Sequence, residues 1–172
     1  MLENTTLKLR ALEPEDLDIL YRWENDITLW HEGNTLTPWS KYSLRKYIEE
    51  SFQDLYEIRR LRLMIIKKEN NRAVGTVDLF DFDPFHNRAE VGILVDREYQ
   101  KQGIAEQTLN LLKEYAFHFL KIKQIYAYIP ENNEISLRLF RRCNYVIAGK
   151  LSAWIKSGNE YRDVYILQLL RD

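Results

Sequence analysis

The sequence predicts an α/β fold, a mixed sheet with helices packed on it, and three observations predict it. Short segments of alternating apolar and polar residues mark strands, beginning with Leu7, Leu9 and Ala11. Longer segments with apolar residues three and four apart mark helices. The strongest opens at Gly103-Ile104-Ala105 and buries Leu109, Leu112, Tyr115, Ala116 and Phe119. In order, the segments give βαα-βββ-α-β-α-ββ with no internal repeat, linker or low-complexity stretch, so one domain over residues 1–172 is expected.

The first strand runs from Thr6 to Ala11. Glu13-Pro14-Glu15-Asp16 then opens a helix, with proline in its first turn and acids at the positive end of the dipole. Asp26 to Thr37 reads as a loop holding Trp30-His31-Glu32-Gly33. A second helix follows from Pro38 or Trp39, with Tyr42, Leu44, Tyr47, Ile48 and Phe52 as its apolar positions. Leu61 to Lys67 and Arg72 to Phe80 form a hairpin about the turn Glu69-Asn70-Asn71. The basic run Arg59-Arg60-Leu61-Arg62 is expected at the start of that hairpin, facing solvent. Ala89 to Val95 is the next strand, and Gly92 in its middle suggests a bulge. Gln124 to Ile129 is a strand and Asn133 to Arg142 a helix. Tyr145 to Ile155 and Tyr161 to Leu169 close the chain as a hairpin about Ser157-Gly158-Asn159.

Lys and Arg number 25 against 26 Asp and Glu, a net charge of −1, which argues against a nucleic-acid binder. The lone Cys143 excludes an internal disulfide and a cysteine zinc site, and one free thiol suits a reducing compartment. No run approaches the ~20 apolar residues that span a membrane, and the N-terminal residues lack a signal-peptide pattern. A cytoplasmic protein without membrane or nucleic-acid partners is expected. His31, His86 and His118 show no metal-ligand spacing, so no metal is expected.

Chemistry concentrates between Glu90 and Ala105: a strand, a polar turn, then Gln100-Lys101-Gln102-Gly103-Ile104-Ala105 entering the long helix. A small residue at a helix entrance lets backbone N–H groups approach a phosphate, which the dipole also favours. The glycine patterns of a dinucleotide-binding turn or a P-loop are absent. The motif Gln100-x-x-Gly103-x-Ala105 after a strand resembles the pyrophosphate loop of the GNAT N-acetyltransferase superfamily. The strand Ile125-Tyr126-Ala127-Tyr128 leading to Asn133-x-x-Ser136, and the ending Arg142-Cys143-Asn144-Tyr145, resemble its second motif, which usually ends in Gly-Phe. Within the superfamily, Leu7 to Asp18, Gly75-x-Val77-Asp78-Leu79 and His86-x-Arg88-Ala89-Glu90 look most like bacterial spermidine (diamine) N-acetyltransferases. Ribosomal-protein N-terminal acetyltransferases share much of this pattern.

The resemblance implies a GNAT-type acyl-CoA N-acyltransferase fold, a mixed, mostly antiparallel sheet flanked by helices. It implies acetyl-CoA as co-substrate and a small-molecule amine as acceptor, and relatives often form rings, so a homo-oligomer is an expectation. Pantetheine would pair with the backbone of Ile93, Leu94 and Val95, where an N–H would stabilise the oxyanion. Gln100, Gln102, Gly103, Ile104 and Ala105 would hold the pyrophosphate, Asn133 the pantetheine arm, and Ser136 and Arg138 would lie near the cofactor's other end. Glu90 is the candidate base or water-holder, the alternative being a surface carboxylate paired with Arg88. Glu32, Asp78 and Asp81 are candidates for holding a polycationic amine, with Trp30 and His31 shaping its pocket; solvated loop acids are the alternative for each.

One departure stands out. Relatives often place a tyrosine in the last helix to protonate the leaving thiolate, and alignment on Asn133-x-x-Ser136 puts Phe140 there. Tyr128 is the candidate substitute, with Tyr145 or a water as alternatives. Cys143 reads as a small buried residue rather than a nucleophile. Three functions remain open on the sequence: acetylation of a polyamine, acetylation of a protein N-terminus, and acyl-CoA binding without catalysis.

Overall fold

The computed structural model describes residues 1–30 and 37–172, with the backbone alone at Leu29 and Trp30. Strand β1 (Leu7–Arg10) is followed by helices α1 (Leu17–Glu24), α2 (Ile27–Trp30), α3 (Lys41–Glu50) and α4 (Leu55–Ile58). Three strands come next: β2 (Leu61–Lys67), β3 (Arg72–Asp83) and β4 (Arg88–Val95). Helix α5 (Ile104–Glu114), strand β5 (Gln124–Pro130) and helix α6 (Glu134–Arg142) lead to the hairpin β6 (Val146–Ser157) and β7 (Glu160–Leu170). The strands form one sheet in the order β1-β2-β3-β4-β5-β7-β6. Every neighbouring pair is antiparallel except β4 with β5, which gives the mixed, mostly antiparallel sheet that the sequence predicts.

Each face of the sheet buries an apolar layer, because side chains alternate along a strand. On one face Leu63, Val77, Ala89, Val91, Ile125 and Ala127 pack with Leu109, Leu112 and Phe140 of α5 and α6. On the other, Met64 and Ile66 pack with Leu20, Trp23, Leu44 and Ile48 of α1 and α3. The second layer thus covers β2 and its neighbours. Residues of alternate parity on β4 and β5, including Glu90, Tyr126 and Tyr128, lie on that second side.

Four expectations are corrected. Gly92 sits in unbroken register opposite Asp78, and the bulge falls instead between Phe80 and Asp83 of β3. Gly92 is small for another reason: a Cβ there would stand 3.1 Å from Phe80 Cε1. Helix α3 ends at Glu50, so Phe52 lies beyond it at 86% exposure, and Tyr42 is also outside the core. The long helix ends in a π turn over Tyr115–Phe119, closed by Leu120 N–H donating to the Tyr115 carbonyl. That extra residue per turn rotates Phe119 out of the apolar stripe, leaving it exposed with its ring stacked on Tyr115. Finally, Arg62 does not face solvent; its side chain is 19% exposed within an ion cluster described below.

Two tight placements fix β4. Gly75 lies so close to it that a Cβ would stand 2.1 Å from the Leu94 carbonyl oxygen. Asp96, just past the strand, accepts from Trp23 Nε1 at 2.7 Å, Arg22 Nη2 at 2.5 Å and Glu98 N at 3.1 Å. Together they hold the end of β4 against α1 and aim the following turn.

Candidate active site

The site begins where two strands part. β4 and β5 are hydrogen-bonded in parallel only at Arg88–Gln124, Ala89–Ile125 and Glu90–Tyr126. Beyond that rung β4 continues to pair with β3 as far as Val95, and β5 with β7 as far as Pro130. The β5-facing edge of β4 from Val91 to Val95 therefore carries backbone groups with no strand partner. An extended amide-containing chain fits that edge as an added strand.

The free edge leads into a turn built for an anion. Gln100 Nε2 donates to the Val95 carbonyl at 3.1 Å, and Gln102 Nε2 to the Glu98 carbonyl at 3.2 Å, so both glutamines brace the turn through their side chains. Lys101 (φ 60) and Gly103 (φ 73) take left-handed backbone conformations. Gly103 is the N-cap of α5, where no side chain caps the helix, and the first-turn N–H groups have no intrahelical acceptor. Lys101, Gln102 and Gly103 are exposed, while Ile104 is buried beneath them. A Cβ on Gly103 would meet only Gln107 Nε2 at 3.9 Å, so the backbone angle, not crowding, calls for glycine there.

Across the split, Asn133 caps α6 by accepting from Ser136 N at 3.1 Å. Its Oδ1 is thereby occupied, which leaves the side-chain NH₂ to donate to a ligand carbonyl. Asn133, Glu134 and Arg138 line a cleft of 610 Å³ with Thr28, Ile155 and Arg162. Arg97, in the turn after β4, reaches Thr28 Oγ1 and so ties the far wall of this cleft to the anion-holding turn. The residues present thus fit an acyl-CoA: amide-pairing edge, phosphate-holding turn, polar cleft. Ser136 contributes its backbone to the cap, and no side-chain contact singles it out.

Glu90 stands on the last shared rung, paired with Phe80 on β3 and Tyr126 on β5. Burial first, and then the charge of Asp81, push its carboxyl up to about 7. Arg88 does not neutralise it, because that guanidinium lies 3.3 Å from Asp83. Tyr126, paired with Glu90 across the last shared rung, is pushed up to about 12 by burial and then by the Glu90 charge. Tyr128 stands edge-on to Tyr126 at 5.7 Å and is 39% exposed, past the point where β5 leaves β4. Tyr145, in contrast, is buried against Phe140 at 4.9 Å and its hydroxyl has no hydrogen-bond partner among the described residues. Burial also pushes the Cys143 thiol up, as suits a small core residue.

The acids read as amine-holding part company. Asp78 gives both oxygens to Arg62, at 2.6 and 3.2 Å. Asp81, exposed at the bulge, has no ion pair among the described residues. His31 and Glu32 lie outside the described residues, as does the side chain of Trp30. Sequence reasoning missed Arg62, Arg162 and Thr28. Each sits on a different element from the motifs, and only the folded register brings them to the site.

A strand edge left open beside an uncapped helix entrance suits the amides and phosphates of an acyl-CoA. The chain belongs to the GNAT acetyltransferase family, whose domain matches residues 6–146. It is accordingly an N-acetyltransferase with acetyl-CoA as co-substrate. It is 26% identical over 170 residues to the spermidine N(1)-acetyltransferase of Vibrio cholerae, covering 96% of this chain and 95% of that one. Identity to the Escherichia coli K12 spermidine N(1)-acetyltransferase is 26% over 162 residues, covering 92% and 82%. The crystal structure of the Vibrio cholerae enzyme with CoA and spermine shares the fold at a TM-score of 0.87 and 24% identity, covering 97% of this chain and 96% of that one. A dodecameric structure of that enzyme superposes at a TM-score of 0.81 with 24% identity, covering 97% and 95%. Among the described residues no helix is long and apolar enough to cross a membrane, and no cluster of His, Cys, Asp or Glu could hold a metal.

Proposed function

We propose that the chain acetylates a primary amine of a polyamine such as spermidine, by direct attack of the amine on the thioester. The observation that carries this reading is Glu90, a carboxylate at the strand split whose proton affinity is set near neutrality. An alkylammonium with a pKa of about 10 must lose a proton before it can attack. Acetyl-CoA, when bound, supplies the acetyl group as a thioester. Glu90 receives the proton of the attacking nitrogen, directly or through one water. A backbone N–H on the open edge of β4 donates to the carbonyl oxygen as its charge grows. As nitrogen–carbon bonding replaces carbon–sulfur bonding, Tyr128 gives its proton to the departing thiolate and is reprotonated from solvent. Its exposure supports this role, which Phe140 cannot fill. Both spermidine-acetylating relatives support the polyamine, and the dodecameric one supports an oligomer of this chain as well.

The test is release of free thiol from acetyl-CoA against spermidine, spermine, simple diamines and a panel of short peptides. Amine-dependent release with spermidine or spermine is the expected result. Release with peptides alone would move the acceptor to a protein N-terminus and overturn the polyamine reading.

A further inference from the structure

Among the described residues, four carboxylates stand on or beside the Glu90 side of the sheet, and the fold treats them as two kinds. Glu24, at the end of α1, and Asp78, on β3, both accept from Arg62. The three side chains are only 16 to 19% exposed, and the Tyr47 ring lies 5.3 Å from the guanidinium carbon. Charge-assisted bonds in so dry a place are costly to break, so these two acids are committed to the fold. Asp81 and Glu90 have no ion pair among the described residues. Arg88, the cation nearest Glu90 along β4, is drawn off by Asp83.

We propose that Asp81 is a specificity-determining residue, taking the second ammonium of a diamine while Glu90 faces the nitrogen that reacts. This rests on the amine-acetylating reading above. The geometry comes from the bulge. Phe80 still pairs with Glu90, the next pair is Asp83 with Arg88, and Asp81 between them turns with φ 48. An extra residue in one strand re-aims side chains locally. Here it puts Asp81 near enough for its charge to act on Glu90. Among the described residues, Tyr126 pairs with Glu90 from β5, and strand alternation puts Tyr128 of β5, Arg88 of its own strand and the Arg62-bound Asp78 of β3 on the same side of the sheet.

The charges explain the selection. A monoamine brings one positive charge to two uncompensated carboxylates; a diamine brings one for each. A second ammonium on Asp81 also removes the repulsion that helps keep Glu90 protonated, so the better-bound cation meets the readier base.

Two measurements test the proposal, on wild type, Asp81→Asn and Asp78→Asn. Asn tolerates the left-handed backbone, and position 81 is exposed, so the first variant keeps the bulge. The first measurement is kcat/KM for a diamine relative to a monoamine of equal length. Wild type should prefer the diamine, and Asp81→Asn should cut that preference about tenfold, chiefly through KM. Asp78→Asn should keep it. The second is titration of the Glu90 carboxyl carbon by NMR without any substrate. Asp81→Asn should bring the midpoint down from about 7, yet leave it above 4.5 because burial remains. An unchanged preference in Asp81→Asn, an equal loss in Asp78→Asn, or an unmoved Glu90 midpoint would each overturn the proposal. Wild type inert toward every amine would refute the proposed function instead, and the titration would still judge the Asp81–Glu90 pairing.

Discussion

The two sides of the strand split are built in opposite ways. On the cofactor side, the groups proposed to hold a ligand are backbone N–H donors on β4 and at the entrance of α5, fixed by the strand ladder and by two bracing glutamines. On the acceptor side the proposed groups are side chains, Glu90, Asp81 and Tyr128, drawn from two strands and a bulge. The first design depends on conformation and tolerates many side chains. The second depends on charge and on register. A mutation should therefore damage one side while sparing the other.

The largest separation is expected from Glu90→Gln, which removes the proposed base and leaves every backbone group in place. Its kcat/KM for the amine should fall by roughly 10²- to 10⁴-fold near neutral pH, with acetyl-CoA affinity unchanged by calorimetry. Gly103→Val tests the other side. A β-branched residue at φ 73 is strained by about 1–2 kcal/mol and should disturb the turn. About tenfold weaker acetyl-CoA binding is expected, with the Glu90 titration unaltered. Equal damage to both sides by either variant would break the distinction.

Smaller effects sharpen it. Asn133→Ala removes a helix cap worth about 1 kcal/mol, so Tm should drop by a few degrees. The stability of Glu90→Gln should carry a sign that marks a strained base. A carboxyl whose folded-state pKa is raised from 4.5 to about 7 binds more protons folded than unfolded between those values. Wild-type stability contributed by that proton is complete below 4.5 and is lost as pH rises through about 7. Glu90→Gln should therefore melt at a higher temperature than wild type at pH ~8 and lose that advantage at pH ~4, by thermal unfolding at both values.

The elements around the β4–α5 turn were legible in the sequence because they are contiguous. A strand, a polar turn, Gly103 and an amphipathic helix follow one another, and the structure keeps that order. The helix starting at Asn133 was legible for the same reason, although its cap, Asn133 accepting from Ser136 N, appears only in the structure. The acceptor side was not, because nothing local says which acids are free. Asp78 and Asp81 look alike in sequence, three residues apart and each flanked by apolar residues. Only the pairing of β2 with β3 puts Arg62 on Asp78, and only the bulge sets Asp81 beside Glu90. Arg62 itself was read as a solvent-facing cation because its run is basic, yet strand alternation buries it. Phe119 was misplaced by a π turn that no three-to-four pattern anticipates.

The most direct test of the central claim, that Glu90 is the base of amine acetylation, is the pH dependence of kcat/KM for thiol release with spermidine. A single-proton acid limb near pH 7 in wild type, with the rate largely gone in Glu90→Gln, is the predicted result. A Glu90→Gln enzyme that retained the wild-type rate and the same limb would contradict the claim and place the base elsewhere.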